Sequence, residues 1–115
     1  MDEMISTQHP AGFREVQPEI AGDHLAGLRV VDVREPSEFT GPLGHIEGSE
    51  LVPLGQLLGS AQGWDRDQAL LLVCRSGSRS GSACRALSQM GFRNLYNLAG
   101  GMMAWNQEGL PVSRG

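Results

Sequence analysis

Cys74 closes an apolar run and opens a loop of small and basic residues, "LLLVCRSGSRSG" over 70–81. A thiol becomes a strong nucleophile only once ionised, and an unperturbed cysteine titrates near about 8.5. The residues that follow Cys74 are of the types that lower this threshold. Arg75 and Arg79 bring positive charge to either side of the turn. Gly77 permits the backbone conformation that aims successive amides inward, and Ser76 and Ser78 keep the bowl open while offering hydrogen bonds. A helix starting directly after the loop adds up to about half a positive charge at its N-terminus. Such a cradle takes either an anionic sulfur adduct on Cys74 or a phosphate.

Spacing separates the two chemistries. Four residues lie between Cys74 and Arg79, one fewer than in the protein phosphatases that use a cysteine nucleophile. The smaller bowl fits a single sulfur atom on the cysteine better than a tetrahedral phosphoryl group. Val73, not a histidine, precedes Cys74, which also counts against a phosphatase or arsenate reductase.

The elements that position this loop follow from the apolar patterning. "ALLLVC" (69–74) is apolar throughout, as suits a parallel strand covered on both faces, and "LRVVDVR" (28–34) is a second buried strand. "FREV" (13–16), a segment near Leu51–Val52 and Leu95–Asn97 read as further strands. "SRSGSACRALSQMGF" reads as a helix with Gly91 past its end, with Ser80, Ala83, Cys84, Leu87 and Met90 along one side. Shorter helices are expected after Pro18, over "LGQLLGSA" and over "GMMAWNQEG". Alternation of this kind predicts a small α/β domain with a mostly parallel sheet, whose reactive ground lies beyond the carboxyl ends of the strands. Cys74 stands at that edge.

Composition bounds the rest. The 115 residues make one domain, and 40% hydrophobic with 19% charged residues is ordinary for a globular chain. A formal charge of −4 and a pI near 5.2 argue against nucleic acid or an anionic membrane as partner. The N-terminal "MDEMISTQHPAG" has neither a basic region nor an apolar core, and no stretch approaches a membrane span. A cytoplasmic protein is expected, with residues 1–12 a flexible segment and 13–113 the folded domain. Two cysteines make no disulfide framework, and His9, His24 and His45 have no ligand spacing for zinc.

Four stretches in order carry a family resemblance: "VVDVREPSEF" (30–39), "GHIEGSELVPL" (44–54), "LLLVCRSGSRS" (70–80), and "GFRNLYNLAGGMMAW" with "GLPV". Together they resemble the signatures of rhodanese-like (thiosulfate sulfurtransferase-like) domains over nearly the whole chain. The resemblance implies a three-layer fold, with a central five-stranded, mostly parallel sheet flanked by helices. It also implies a two-step sulfur transfer with Cys74 as catalytic nucleophile and sulfur carrier. Arg75, Ser76, Gly77, Ser78 and Arg79 then form the substrate-binding loop. The donor is thiosulfate or a persulfide, and the acceptor is a thiol, cyanide or sulfite, with a protein thiol included. No metal and no organic cofactor is implied. Ser49 and Leu51 depart from the family's usual Ala and Asn, and Leu51 is expected to remove a hydrogen bond near the loop base or leave it to another residue. A persulfide carrier serving a dedicated protein partner is the alternative.

The remaining notable residues are assigned to structure. Cys84 lies on the apolar side of its helix and is expected in the core rather than as a resolving thiol. Asp32 and Arg34 are expected to pair at a strand end, Arg34 and Glu38 to pair on the surface, and His45 to pack a loop. Trp64, Trp105, Met102 and Met103 are expected to be packing residues.

Overall fold

The computed structural model describes residues 4–115. Its centre is one sheet of six strands: β1 (Thr7–His9), β2 (Phe13–Val16), β3 (Arg29–Asp32), β4 (Glu50–Leu51), β5 (Leu70–Val73) and β6 (Leu95–Leu98). Their spatial order is β1-β2-β6-β5-β3-β4, with β1 antiparallel to β2 and the other neighbours parallel. The central strand β5 is buried at all four positions, as its unbroken apolar run requires.

Period-two alternation divides the strand residues between two cores. Phe13, Val31, Val33, Leu70, Leu72, Cys74 and Leu95 face one layer, built from α3 (Leu54–Ser60) and α4 (Ser78–Gln89) through Leu57, Ala83, Cys84 and Leu87. Val16, Val30, Leu71, Val73 and Leu98 face the other. There Ala21 of α1 (Pro18–Gly22) and Met102 and Trp105 of α5 (Gly101–Gln107) cover them. The expected three-layer α/β architecture is present.

Two elements differ from expectation. The sheet has six strands rather than five, because Thr7–His9 pairs with Phe13–Glu15 through a turn at Gly12. A strand thus lies ahead of residue 13; "TQH" carries no apolar alternation, so its pairing comes from the neighbouring strand. The expected flexibility of Met1, Asp2 and Glu3 lies outside the described residues. The second addition is α2 (Pro36–Phe39), a single turn with Pro36 at its start and a capping box between Glu35 and Glu38. It holds Glu38 beside the loop that follows β5. Among the described residues no helix is long and apolar enough to cross a membrane.

Candidate active site

Cys74 sits one residue past the end of β5, between the carboxyl ends of β3 and β6. Its side chain shares a face with Leu72, two residues earlier, and so points toward α4. The loop Arg75–Gly77 turns at Gly77, whose φ of +102° is left-handed and suits glycine. Gly77 also leads into α4. The Gly77 amide donates to Cys74 Sγ at 3.1 Å, and the Ser80 hydroxyl, one turn into α4, lies 3.3 Å from the same atom.

These donors set the protonation of the thiol. Burial pushes the Cys74 pKa up. Donation from the Ser80 hydroxyl and from the Ser80, Gly77 and Ser76 amides outweighs burial and brings the pKa below the ordinary thiol value. Cys84, buried in the core, is pushed the other way, chiefly by loss of water and further by the negative charges of Glu15 and Cys74. Its place in the core is the expected one.

The back of the loop is anchored twice. The Met102 and Met103 amides, in the first turn of α5, donate to the Cys74 and Arg75 carbonyls at 2.9 and 3.0 Å. Those carbonyls therefore point away from Sγ, and the amides beyond them are free to point toward it. From β6, Asn97 Nδ2 donates to the Gly77 carbonyl at 3.0 Å and to the Glu15 carboxylate at 2.9 and 3.2 Å. Sheet register brings these groups together: Glu15 pairs with Asn97, and Asn97 with Leu72, across β2, β6 and β5. Asn97 thus braces the loop base on a chain whose β4 carries Leu51.

The arginines are placed differently from expectation. Glu38 pairs with Arg79, not with Arg34. Two parallel hydrogen bonds of 2.7 and 2.8 Å join carboxylate and guanidinium. The Arg79 hydrogen bond, the largest influence, holds the Glu38 pKa down at about 2 against a smaller opposing effect of burial. Arg34 is buried and grips the equally buried Asp32 through Nε and Nη2, while Nη2 also donates to the Gly44 carbonyl at 2.7 Å. Arg75 is exposed and, among the described residues, forms no ion pair. Arg34, Glu38, Pro42, Leu43 and Arg75 line a cleft of 220 Å³ beside the loop.

Ser76 and Ser78 are exposed on the loop. Met103, expected in the core, is instead exposed next to the loop, while Met102 and Trp105 are buried. His45 is the packing residue expected: buried, stacked on Phe39 at 3.6 Å, with Nδ1 bonded to the Phe39 carbonyl. Ser80, Asn97 and Glu15 are site residues that motif reading missed. Ser80 was visible only as a polar residue on the apolar side of α4, and Asn97 as the one polar residue inside an otherwise apolar strand pattern.

A cysteine thiol met by an amide and a hydroxyl at the carboxyl edge of a parallel α/β sheet is an arrangement suited to covalent group transfer. Comparison with known proteins narrows it. The model of the rhodanese-like domain matches residues 15–108, and the chain belongs to that family. It is 33% identical over 101 residues to a sulfurtransferase of Allochromatium vinosum, covering 85% of this chain and 92% of that protein. To thiosulfate sulfurtransferase GlpE of Pseudomonas paraeruginosa it is 35% identical over 94 residues, 81% of this chain and 84% of that one. The crystal structure of a rhodanese-related protein from Thermoplasma volcanium superposes with a TM-score of 0.81 at 30% identity, covering 90% of this chain and all of the other. The chain spans 45% of the length of an uncharacterized Synechocystis relative that is 40% identical over 83 residues. These likenesses support sulfur transfer as the general chemistry.

Proposed function

We propose that this protein moves a sulfane sulfur from thiosulfate or a persulfide donor to a thiol or cyanide acceptor, through a persulfide on Cys74. The Cys74 thiolate attacks the outer sulfur of thiosulfate. The Sγ–S bond forms as the donor S–S bond breaks, and sulfite leaves with the electron pair. The acceptor thiolate or cyanide then attacks the outer sulfur, and Cys74 leaves as thiolate. Arg75 draws the anionic donor, the Ser76 and Gly77 amides hold the charge on sulfur, and Ser78 and Arg79 complete the wall of the bowl. Reduced cysteines are needed throughout, a condition met in the cytoplasm, where we place the protein.

The observation that carries this reading is the convergence of the Gly77 amide and the Ser80 hydroxyl on Cys74 Sγ, inside a bowl one residue too short for phosphate. Cys74 has no exposed surface, so a donor reaching Sγ must first displace part of the mouth of the bowl. A second reading, a carrier loaded by a protein persulfide, draws on the Glu38–Arg79 pair. That pair leaves Arg75 as the cleft cation without a carboxylate partner among the described residues.

Intact mass after incubation with thiosulfate tests both. Gain of one sulfur atom, absent in Cys74→Ala and discharged by cyanide, is expected. Loading by a cysteine desulfurase but not by thiosulfate would favour the carrier. Loading by neither, with turnover of a phosphate ester, would overturn the proposal.

A further inference from the structure

Ser80 has one hydroxyl proton and two buried acceptors for it. Its Oγ lies 3.3 Å from Cys74 Sγ and 2.5 Å from Asn97 Oδ1, with the Gly77 carbonyl a distant third at 3.4 Å. Both Ser80 and Asn97 are buried, so water cannot take over either bond. The Asn97 amide cannot turn round: Nδ2 faces the Glu15 carboxylate and the Gly77 carbonyl, which only accept. Oδ1 must therefore face Ser80, its only donor among the described residues.

Cys74 S–H can donate to Ser80 Oγ while Ser80 donates to Asn97, and every group is then satisfied. Once the thiol ionises, Sγ becomes an acceptor and competes with Asn97 for the same proton. Serving Sγ leaves a buried amide oxygen without a donor. When an outer sulfur is added to Sγ, the negative charge moves to that outer atom, and Sγ no longer needs the hydroxyl.

We infer that the Ser80 hydroxyl is a two-position donor, turned to Sγ when the charge sits there and to Asn97 Oδ1 when an outer sulfur carries it. Asn97 is thereby a positioning residue that favours the sulfur-loaded form over the bare thiolate. The statement about the loaded form rests on the persulfide reading above; the competition for the proton does not.

Other titratable groups and side chains lie around Cys74. Arg75 lies in the loop, Arg79 on α4 with its partner Glu38 on α2, Asp32 and Arg34 at the end of β3, Glu15 on β2, and Cys84 on α4; α5 presents Met102 and Met103. Only Glu15 touches Asn97, so removing Asn97 changes its placement whether or not Ser80 is present.

The test is a double-mutant cycle on the pH dependence of Cys74 alkylation by iodoacetamide, read by mass, in the parent, Ser80→Ala, Asn97→Ala and the double variant. Ser80→Ala should raise the apparent pKa by about one unit. Asn97→Ala should shift the pKa about one unit further down when Ser80 is present than when it is absent. Equal shifts in both backgrounds, or a coupling of opposite sign, would overturn the two-position donor, because an effect through loop shape or Glu15 does not need the hydroxyl. If Asn97→Ala does not fold, Asn97→Ser, too short to keep the bond, replaces it in the same cycle. A second readout is the fraction of Cys74 carrying sulfur at a fixed thiosulfate-to-sulfite ratio. Asn97→Ala should lower that equilibrium about ten-fold; an unchanged equilibrium overturns the role in the loaded form. If the parent protein loads from no donor, the transfer reading fails, and the alkylation cycle still decides the proton competition.

Discussion

Replacing Gly101 by alanine should disturb Cys74 from outside the loop. Gly101 has a φ of +59°, and a Cβ built there falls 2.5 Å from both the Cys74 and Arg75 carbonyl oxygens. Contacts below 3.0 Å are essentially unknown for real Cβ atoms, so the two backbones must separate by at least about 0.5 Å. That displacement stretches the bonds from the Met102 and Met103 amides, now 2.9 and 3.0 Å long, each worth about 1 kcal/mol. The left-handed conformation adds roughly 1–2 kcal/mol for a residue with a side chain. A total of about 3–4 kcal/mol follows. Gly109 supplies the control: its φ is +73°, yet nothing lies within 4 Å of a Cβ there, so Gly109→Ala bears only the conformational cost of roughly 1–2 kcal/mol. In urea the midpoint for Gly101→Ala should lie about 0.7–2 M below that for Gly109→Ala, given slopes of roughly 1–3 kcal/mol/M. Because the carbonyls of Cys74 and Arg75 orient the amides beyond them, Gly101→Ala should also slow Cys74 alkylation at neutral pH, and Gly109→Ala should not. Equal midpoints together with equal alkylation rates would refute the view that α5 sets the back of the bowl.

Three further outcomes are expected. Arg34→Met strands the buried Asp32 carboxylate and should lower stability by about 3–5 kcal/mol, whereas Asp32→Leu combined with Arg34→Met should recover most of the loss; denaturant melts of the two variants decide this. Glu38→Gln releases the full charge of Arg79 and should lower KM for thiosulfate about two- to five-fold at low salt, the difference shrinking as salt screens it; steady-state kinetics at two ionic strengths checks it. The Cys74 pKa is depressed on folding, so the thiolate's contribution to stability is present in full above about 8.5 and is lost as pH falls through the lower folded value. The stability difference between the parent and Cys74→Ala should accordingly shift in the parent's favour as pH rises across that window, as paired melts would measure.

The apolar strands, the long helix α4 and the placing of Cys74 at the sheet edge were legible because each follows from a local pattern: β5 from its unbroken apolar run, α4 from helical spacing, Cys74 from its position at the end of that run. Elements without such a pattern were not legible. β1 pairs through its backbone, and its three residues carry no hydrophobic signal. α2 did carry one, since Glu35, Pro36 and Glu38 spell a helix start, but a single turn is too short to show periodicity. Asn97 and Glu15 reach the site through sheet register, which pairs residues 82 positions apart. Spacing along one chain does not disclose register between strands that are not joined by a tight turn.

The arginines bear on how the thiolate is stabilised. From sequence, Arg75 and Arg79 look like the source of the positive potential at Cys74. In the folded chain Arg79 is tied by two hydrogen bonds to Glu38, and Arg34, close by, is tied to Asp32. Each pair is neutral as a unit, so what remains near Sγ is Arg75, on an exposed side chain whose field water and salt screen. The Gly77 amide at 3.1 Å, fixed in direction by the loop, and the buried Ser80 hydroxyl at 3.3 Å are nearer. Dipoles so placed act in a low-dielectric pocket, where the amide needs no reorganisation when charge appears on sulfur and the hydroxyl needs only to turn. The depression of the Cys74 pKa should therefore survive high salt almost unchanged, while attraction of a thiosulfate dianion should not. A Cys74 alkylation pKa that climbed back to about 8.5 in molar salt would return the leading role to the arginines.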